Sequence, residues 1–204
     1  MNTQQRSRLD NGSHKPKSKV PAGVFILAGW LFEHAADAVE AHNTFIKDQQ
    51  QEPGEFRFTL VLFDHEYDVA YKDLPIGDVK PMTLEDFSPR GGTPLLDTIG
   101  RAMSTHQDDT MFVIYAGGNA TASTEYNVNQ VREMITARKS KGSEFVVLSQ
   151  DLGAIELARK IGTQPKFFSN YSTLFSAGTT RAMMATAHYR GAYATDDADT
   201  QEGT

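Results

Sequence analysis

The sequence predicts an α/β protein of three layers, in which helices cover both faces of a mostly parallel central sheet. Three short apolar runs, AGVFILAG, TMFVIYAGG and EFVVLS, are typical of strands that are buried on both faces. Segments of ten to twenty residues with apolar side chains at helical spacing lie between the strands, which is the pattern of parallel strands joined by crossover helices. A chain of 204 residues, 39% of them hydrophobic, can form one such domain.

The first part of the chain predicts a strand, a helix and a hairpin. The apolar run at 22–29 is expected in the middle of the sheet, and an amphipathic helix follows over 32–47 until the segment QQQEPG stops it. FRFTLVLFD and YDVAYKDL predict two further strands. Because few residues separate them, we expect an antiparallel pair, with one antiparallel edge strand near Tyr67 to Lys72.

The second part begins with a glycine-rich turn that leads into a helix. Thr93 is predicted as its N-cap and Pro94 as its first helical residue. The remaining elements are a strand at 110–118, a helix at 127–142, a strand at 144–149, a helix at 152–162, a short strand at 166–169 and a final helix at 171–190. In the final helix, we expect Leu174, Met184 and His188 on or near the inner side.

The two ends of the chain carry opposite charges. In residues 1–20, five basic side chains against one acidic side chain leave a net charge of +4, and residues 191–204 have a net charge of -4. The basic side chains are Arg6, Arg8, Lys15, Lys17 and Lys19. Both ends are polar enough to be disordered alone, so the domain is predicted at 21–190, between a basic flexible arm and an acidic flexible tail. They are either solubilising tails or arms that become ordered on a partner.

Several classes of protein are disfavoured by the composition and the missing motifs. The overall charge of -6 argues against nucleic-acid binding, except through the basic arm. The first twenty residues lack the apolar centre of a signal peptide, and no run approaches eighteen apolar residues, so we expect a protein that is neither secreted nor inserted in a membrane. The chain has no cysteine, no phosphate-binding glycine motif and no G-x-S-x-G or H-E-x-x-H motif. We therefore predict no enzymatic activity.

Five segments occur in an order that resembles a known family. They are VFILAGW, FTLVLFDHEYDVAY, FSPRGGTPLLDTIGRAM, MFVIYAGGNATASTEYNVNQVREMI and FVVLSQDLGAIELARKIG. Their order and spacing resemble the von Willebrand factor A (vWA) domain, particularly the compact single-domain type of bacteria and their phages, over about residues 22–190. The resemblance implies a Rossmann-like α/β/α domain, and the loop GGTPLLDTIG is its most specific part.

The resemblance also implies where a metal site would lie. Domains of this family typically bind Mg²⁺ through D-x-S-x-S after the first strand, a threonine in a Gly-Gly-Thr loop, and T-D-G after the fourth strand. These motifs map onto Ala28, Trp30 and Phe32, onto Thr93, and onto Tyr115, Ala116 and Gly117. Mg²⁺ requires oxygen ligands, and of the motif ligands only the threonine remains, so we predict a degenerate adhesion site with no metal and no cofactor. Its rim, the predicted protein-binding site, comprises Ala28, Trp30, Phe32, Thr93, Tyr115 and Ala116.

These observations together predict a non-enzymatic protein-binding or assembly module that acts without a divalent cation. The charged ends and the phage-like subtype indicate a subunit of a large assembly, for which a phage virion is one candidate, and hence a location in the cytoplasm or in a virion. Trp30 is either an exposed binding anchor or the plug of a pocket. The partners are expected to be proteins, with no membrane involved and an open oligomeric state.

Two other functions are compatible with the sequence. In a metal-dependent adhesion or chaperone-adaptor protein, Asp64, Asp97 or Glu33 would replace the lost ligands. Each has a simpler explanation, because Asp64 closes a strand end, Asp97 can bond the preceding loop, and Glu33 lies in the first turn of a helix, where the dipole favours it. A hydrolase or nucleotide enzyme would require Asp64, His65 and Thr93 to converge at an open pocket.

Overall fold

A computed structural model shows one sheet and two layers of helices. It describes residues 20–28, 34–64, 66–87, 92, 94–117 and 122–198, and for Ala28 and 194–198 it describes the backbone only. In chain order the elements are β1 (Ala22–Ala28), α1 (Ala35–Gln49), β2 (Arg57–Phe63), β3 (Tyr67–Pro75), a 3₁₀ turn (Ile76–Asp78), α2 (Leu95–Thr105), β4 (Thr110–Tyr115), α3 (Val128–Lys139), β5 (Glu144–Ser149), α4 (Leu152–Lys160), β6 (Lys166–Phe167), α5 (Tyr171–Thr173), a π-helical turn (Leu174–Gly178) and α6 (Thr179–Ala198).

The sheet has the order β3-β2-β1-β4-β5-β6. All neighbouring strands are parallel except β2 and β3, which form the predicted antiparallel hairpin and place β3 at one edge. The first strand lies in the middle of the sheet, as predicted from its apolar run. The structure thus confirms a three-layer α/β fold with a mostly parallel sheet.

Alternation along β1 divides the core between the two faces of the sheet. Phe25 and Leu27 pack on the face that α1 and α6 cover, whereas Val24 and Ile26 pack on the face that α2, α3 and α4 cover. Because all four side chains are buried, β1 needs the continuous apolar run that marks it in the sequence. Within the described part of the chain, no helix has both the length and the apolar character needed to cross a membrane.

Helix α2 begins one residue later than predicted. Pro94 is its N-cap and not its first helical residue, because its ψ of 61° is not helical while its carbonyl oxygen accepts the first helical bond from the amide of Thr98, at 2.9 Å. Thr93, the predicted N-cap, lies outside the described residues. Ser123 instead supplies an acceptor, since its Oγ lies 3.0 Å from the backbone nitrogen of Leu96. The helix end is therefore capped from a distant loop.

The final helix presents a different face to the core from the one predicted. Leu174 is buried as expected, but Met184 is 70% exposed and His188 is also exposed. The π-helical turn at Leu174–Gly178 explains the difference, because it adds a residue to one turn and shifts the face that follows. Tyr189, one residue after the predicted position, is the residue that is buried.

Helix α6 also continues past the predicted domain boundary at residue 190. Its backbone is helical to Ala198, and Tyr193 is buried one turn after Tyr189. The two tyrosine hydroxyls lie 2.9 Å apart, and that of Tyr189 donates to the carbonyl oxygen of Asp109 at 2.6 Å. The beginning of the predicted acidic tail is thus part of the folded helix.

Arg190 joins α6 to the C-terminal end of α1. The residue is 5% exposed, and its guanidinium donates to the carbonyl oxygens of Gln49, Glu52 and Gly54, at 2.7, 3.0 and 2.9 Å. It also lies over the ring of Phe56, 5.0 Å from the centroid. The last carbonyl groups of a helix have no partner within the helix, and this one side chain satisfies several acceptors around the end of α1.

Candidate functional site at the carboxyl edge of the sheet

The parallel strands all end at one edge of the sheet, called here the carboxyl edge. The topology reverses there between β1 and β4, because β1 leads to α1 on one face and β4 leads to α3 on the other. In open α/β sheets the crevice at such a reversal is the usual ligand site. Ala28 ends β1 and Ala116 follows β4, so both lie where the fold would place a ligand.

The predicted rim is described only in part. Outside the described residues lie Trp30, Phe32 and Thr93. Ala28 is placed by its backbone pairing with Phe63. Tyr115 and Ala116 are buried, with exposed fractions of 3% and 0%. Neither of these two side chains is accessible to a partner, and the contribution of the other rim residues stays a prediction.

Tyr115 turns away from the carboxyl edge and into the core. Its ring packs between Phe25 and Phe175, with both centroids at 6.5 Å, and its hydroxyl lies 3.0 Å from the Oγ1 of Thr179. Burial raises the pKa of the Tyr115 hydroxyl, so the group stays neutral. The hydroxyl therefore ties the sheet to α6.

Asp97, in the first turn of α2, holds the loop that follows β4. Its carboxylate accepts the backbone N–H groups of Thr124 at 2.8 Å, Glu125 at 3.0 Å and Tyr126 at 2.8 Å, and the residue is 6% exposed. The expectation that Asp97 bonds the loop before its own helix is corrected, because these amides belong to a segment almost thirty residues later. Both oxygens of a buried carboxylate are thus engaged with backbone donors.

The described part of this loop, residues 122–127, makes two further contacts with helix N-termini. Ser123 caps α2 through its Oγ, as described above, and Asn127 caps α3 by accepting the amide of Gln130 at 3.1 Å. The side chain of Gln130 accepts the amide of Asn127 in return, at 2.9 Å, which completes a capping box. The described portion of the loop is therefore rigidly positioned between two helix N-termini.

A polar pocket opens beside this loop. It has a volume of about 190 Å³ and lies between the β2–β3 turn, the start of α2 and the loop. Arg101 and Glu125 form an ion pair across its wall, and the guanidinium of Arg101 also lies 5.8 Å from the ring centroid of Tyr67. This pair lowers the pKa of the Glu125 carboxyl. Since both side chains are nearly half exposed, the ion pair contributes little to stability.

Asp64 closes the turn between β2 and β3, as predicted. Its Oδ1 accepts the amide of Glu66 at 2.8 Å, and its own amide donates to the carbonyl oxygen of Glu66 at 3.1 Å. The enzymatic alternative would need Asp64 to converge with His65 and Thr93, and these two residues lie outside the described part of the chain.

The described residues of this edge do not fit a divalent cation. Ala28 and Ala116 have no side-chain oxygen, the hydroxyl of Tyr115 is directed to Thr179, and the carboxylate of Asp97 accepts three amide protons. Across the described ranges, no three His, Asp or Glu side chains come close enough together to hold a metal ion. Mg²⁺ gives up water reluctantly and requires a nearly octahedral set of oxygens, which these residues do not supply.

Comparison with solved structures shows the same fold in several bacterial proteins. A von Willebrand factor type A protein from Catenulispora acidiphila has a TM-score of 0.53 at 12% identity, over 80% of this chain and 43% of that one. The pilus adhesin SpaC from Lactobacillus rhamnosus GG has a TM-score of 0.60 at 12% identity, over 85% and 31%. The vWF domain of the type V pilus tip protein Mfa5 from Porphyromonas gingivalis has a TM-score of 0.52 at 11% identity, over 81% and 96%.

The chain therefore has the von Willebrand factor A fold. It spans less than half the length of several of the proteins that it matches, including those from Catenulispora and Lactobacillus. No family model and no curated protein sequence matches the chain. The likeness is carried by the three-dimensional arrangement of the strands and helices, and at 11–12% identity it shows the fold alone.

Proposed function

We propose that this chain is a non-enzymatic protein-binding and assembly module of vWA type that acts without a bound divalent cation. The observation that carries the proposal is the state of Asp97. It is a carboxylate at the carboxyl edge of a fold whose members commonly hold Mg²⁺ there, and its oxygens accept backbone amides. A carboxylate whose oxygens accept backbone amides orders the loop at the binding surface and is not free to coordinate a cation.

The similar structures support a binding role. Two of them are described as a pilus adhesin and a pilus tip protein, and vWA domains are generally binding modules. The described part of the carboxyl edge supports the same role, because the loop held by Asp97 and the ion pair of Arg101 with Glu125 form an ordered polar surface. A partner that meets an ordered surface loses less conformational entropy on binding than one that must order a loop.

The site of contact is proposed to be this loop together with Ala28, Trp30, Phe32 and Thr93 of the rim predicted from the sequence, without the buried Tyr115 and Ala116. A role in a phage virion, and a location in the cytoplasm or in a virion, stay predictions of the sequence alone. The competing function is a metal-dependent adhesion or chaperone-adaptor protein that uses noncanonical carboxylates, of which Asp97 was one. That function requires a partner whose binding disappears when the cation is removed.

The test is a comparison of partner capture with and without a cation. The full chain is immobilised and exposed to an extract of its native source in EDTA or in Mg²⁺, and the retained proteins are quantified by mass spectrometry. We expect the same partners in both buffers, at a ratio near one. Partners that are lost in EDTA and regained with Mg²⁺ would establish the metal-dependent function instead.

A matched pair of variants locates the contact surface. Asp97→Ala releases the loop at the carboxyl edge, whereas Asp78→Ala removes an exposed aspartate from the 3₁₀ turn after β3, near the opposite edge. We expect the first variant to lose captured partner and the second to retain it. Equal capture by both variants, with Asp97→Ala still folded, would remove the loop from the proposed surface.

A further inference from the structure

A groove with acidic and apolar walls lies between α1 and the last helices of the chain. It has a volume of about 330 Å³ and lies along residues 37–44 of α1, the helix that follows the carboxyl end of β1. One wall carries Asp37, Glu40 and Thr44 of α1, and the other carries Phe175, Ser176 and Met183. Among the described residues that line it, none is a lysine or an arginine. The groove therefore combines two carboxylates with hydroxyl groups and an apolar surface.

A stacked pair of rings lies next to Asp37, one of the residues that line the groove. His34 lies against Tyr171 with the ring centroids 3.7 Å apart, and its Nδ1 lies 3.3 Å from the carboxylate of Asp37. Asp37 and Glu40 are both exposed, so their negative charges face solvent. This chemistry suits a basic segment that contains arginine, because a guanidinium donates to carboxylates and hydroxyls while its flat face and stem rest on aromatic and aliphatic groups.

The chain itself contains a segment of that chemistry. Residues 1–19 include Arg6, Arg8, Lys15, Lys17 and Lys19 against one aspartate. The segment enters the domain at Val20, directly before β1, and therefore at the edge of the sheet opposite to the carboxyl edge. The junction of the segment with the domain, at Val20, and the start of α1, which borders the groove, lie at opposite ends of β1.

We propose that the basic segment 1–19 of one copy binds the α1–α6 groove of a second copy. The opposite placement of the two features favours this arrangement, because a head-to-tail contact brings the segment of one copy beside the groove of the next without reversing its direction. Binding to the groove of the same copy would require the segment to reverse its direction at Val20 and run back past β1, which is roughly 23 Å long. The contact is heterologous, so repetition produces a ring or an open chain of copies.

This proposal deepens the proposed assembly function and rests on it. The groove lies on the α1 and α6 side of the sheet, while the Asp97 loop borders α2 and α3. One copy could therefore hold a neighbour in the groove and another protein at the loop. The two surfaces make separate predictions, and either can fail without the other.

The test uses the absence of cysteine from the chain. In full-length protein, Ser7→Cys places the only thiol between Arg6 and Arg8, where a nitroxide label leaves both charges in place. Labelled copies at natural isotopic abundance are mixed with unlabelled copies enriched in ¹⁵N, so that broadening of the observed amides reports contact between copies only. We expect broadening at 37–44 and 172–183, and its loss at high ionic strength.

Charge variants of the ¹⁵N copy serve as controls. Asp37→Asn with Glu40→Asn removes the two groove carboxylates and should abolish the broadening, whereas Glu66→Gln removes an exposed carboxylate outside the groove and should leave it unchanged. Retention of the wild-type amide spectrum confirms that the variants fold. The proposal would be overturned if the broadening persists in the double variant or affects amides outside the groove. It would also be overturned if broadening occurs only in a copy that carries both the nitroxide and ¹⁵N, measured at high dilution.

The outcome is independent of the test of the proposed function. Loss of partner capture in EDTA would contradict cation-independent binding but would leave the contact between copies intact. Absence of intermolecular broadening together with capture that is insensitive to EDTA would overturn only the role of the groove.

Discussion

The carboxylate of Asp97 lies 2.8 Å from the backbone nitrogen of Tyr126, and this bond fastens the loop after β4 to the first turn of α2. The carboxylate also accepts the amides of Thr124 and Glu125, so one side chain satisfies three consecutive backbone donors. The carboxylate of Asp97 therefore orders the loop at 124–126, and its oxygens are not free for a cation.

Asp97→Asn should therefore destabilise the fold and loosen the loop. The asparagine keeps one carbonyl oxygen but replaces the other acceptor with an N–H₂ group, so at least one of the three amides loses its bond to a charged acceptor, at a cost of about 1–3 kcal/mol. Urea denaturation would measure the change in the free energy of unfolding, and amide exchange at 124–126 would report the loop. Unchanged exchange at these amides would show that the carboxylate does not hold them.

Gly100→Ala should also destabilise the protein, although alanine is the better helix former by about 1 kcal/mol. A Cβ at Gly100 would lie 2.7 Å from the ring of Tyr126, and overpacking of this kind costs about 1–3 kcal/mol. The control is the same substitution in a Tyr126→Ala background, where the contact is gone and the helix propensity should dominate. A destabilisation of equal size in both backgrounds would mean that the ring does not limit this position.

His42 should make the fold sensitive to mild acid. Its ring is 3% exposed, lies near Phe58 and Tyr71, and has no hydrogen-bond partner for either nitrogen within the described structure. Burial lowers the pKa of His42 to about 4, from an ordinary value of about 6.5. The unfolded chain binds the proton first, so stability is complete above about pH 6.5 and falls by about 3 kcal/mol as the pH decreases to about 4.

His42→Leu should remove that part of the pH dependence, as measured by urea denaturation at several pH values. His188→Gln, at an exposed position of α6, is the matched control and should keep the wild-type profile. If the leucine variant loses stability in acid as steeply as the wild type, then another group causes the loss.

Arg190→Met should cost about 1–3 kcal/mol in the free energy of unfolding. The substitution leaves the carbonyl oxygen of the buried Gln49 without its donor and also removes the bonds to Glu52 and Gly54, which are more exposed. Arg181→Met removes an exposed arginine from the same helix and should change stability by less than about 0.5 kcal/mol. Equal effects of the two variants in thermal or urea denaturation would contradict the role of Arg190 as a link between helices.

The fold could be predicted from the sequence because its signals are local. The apolar run around Val24–Leu27 requires burial on both faces, and the short connection before Tyr67 requires a hairpin. The face of α6 could not be predicted in the same way. The π-helical turn shifts the helical phase by a residue, so the inward position moved from His188 to Tyr189.

The strand ends that border the candidate site could be predicted from the sequence, whereas its role in binding stays a prediction. Ala28 and Ala116 follow from the positions of two strands, and the structure brings both to the reversal of the topology. The role of Asp97 and the capping by Ser123 depend on contacts between residues that are 26 or more positions apart, which no local pattern reveals. Tyr115 was expected at the rim because the T-D-G motif of the family maps onto it, but its side chain is buried and its hydroxyl lies against Thr179.

Cation-independent binding at the carboxyl edge can be tested by calorimetric titration of the full chain with Mg²⁺ and with Mn²⁺. Thr93→Ala is the control for the one motif ligand that remains in the sequence. We expect no saturable heat in the micromolar range for the wild type or the variant. Saturable binding of one ion per chain, abolished by Thr93→Ala, would contradict this expectation.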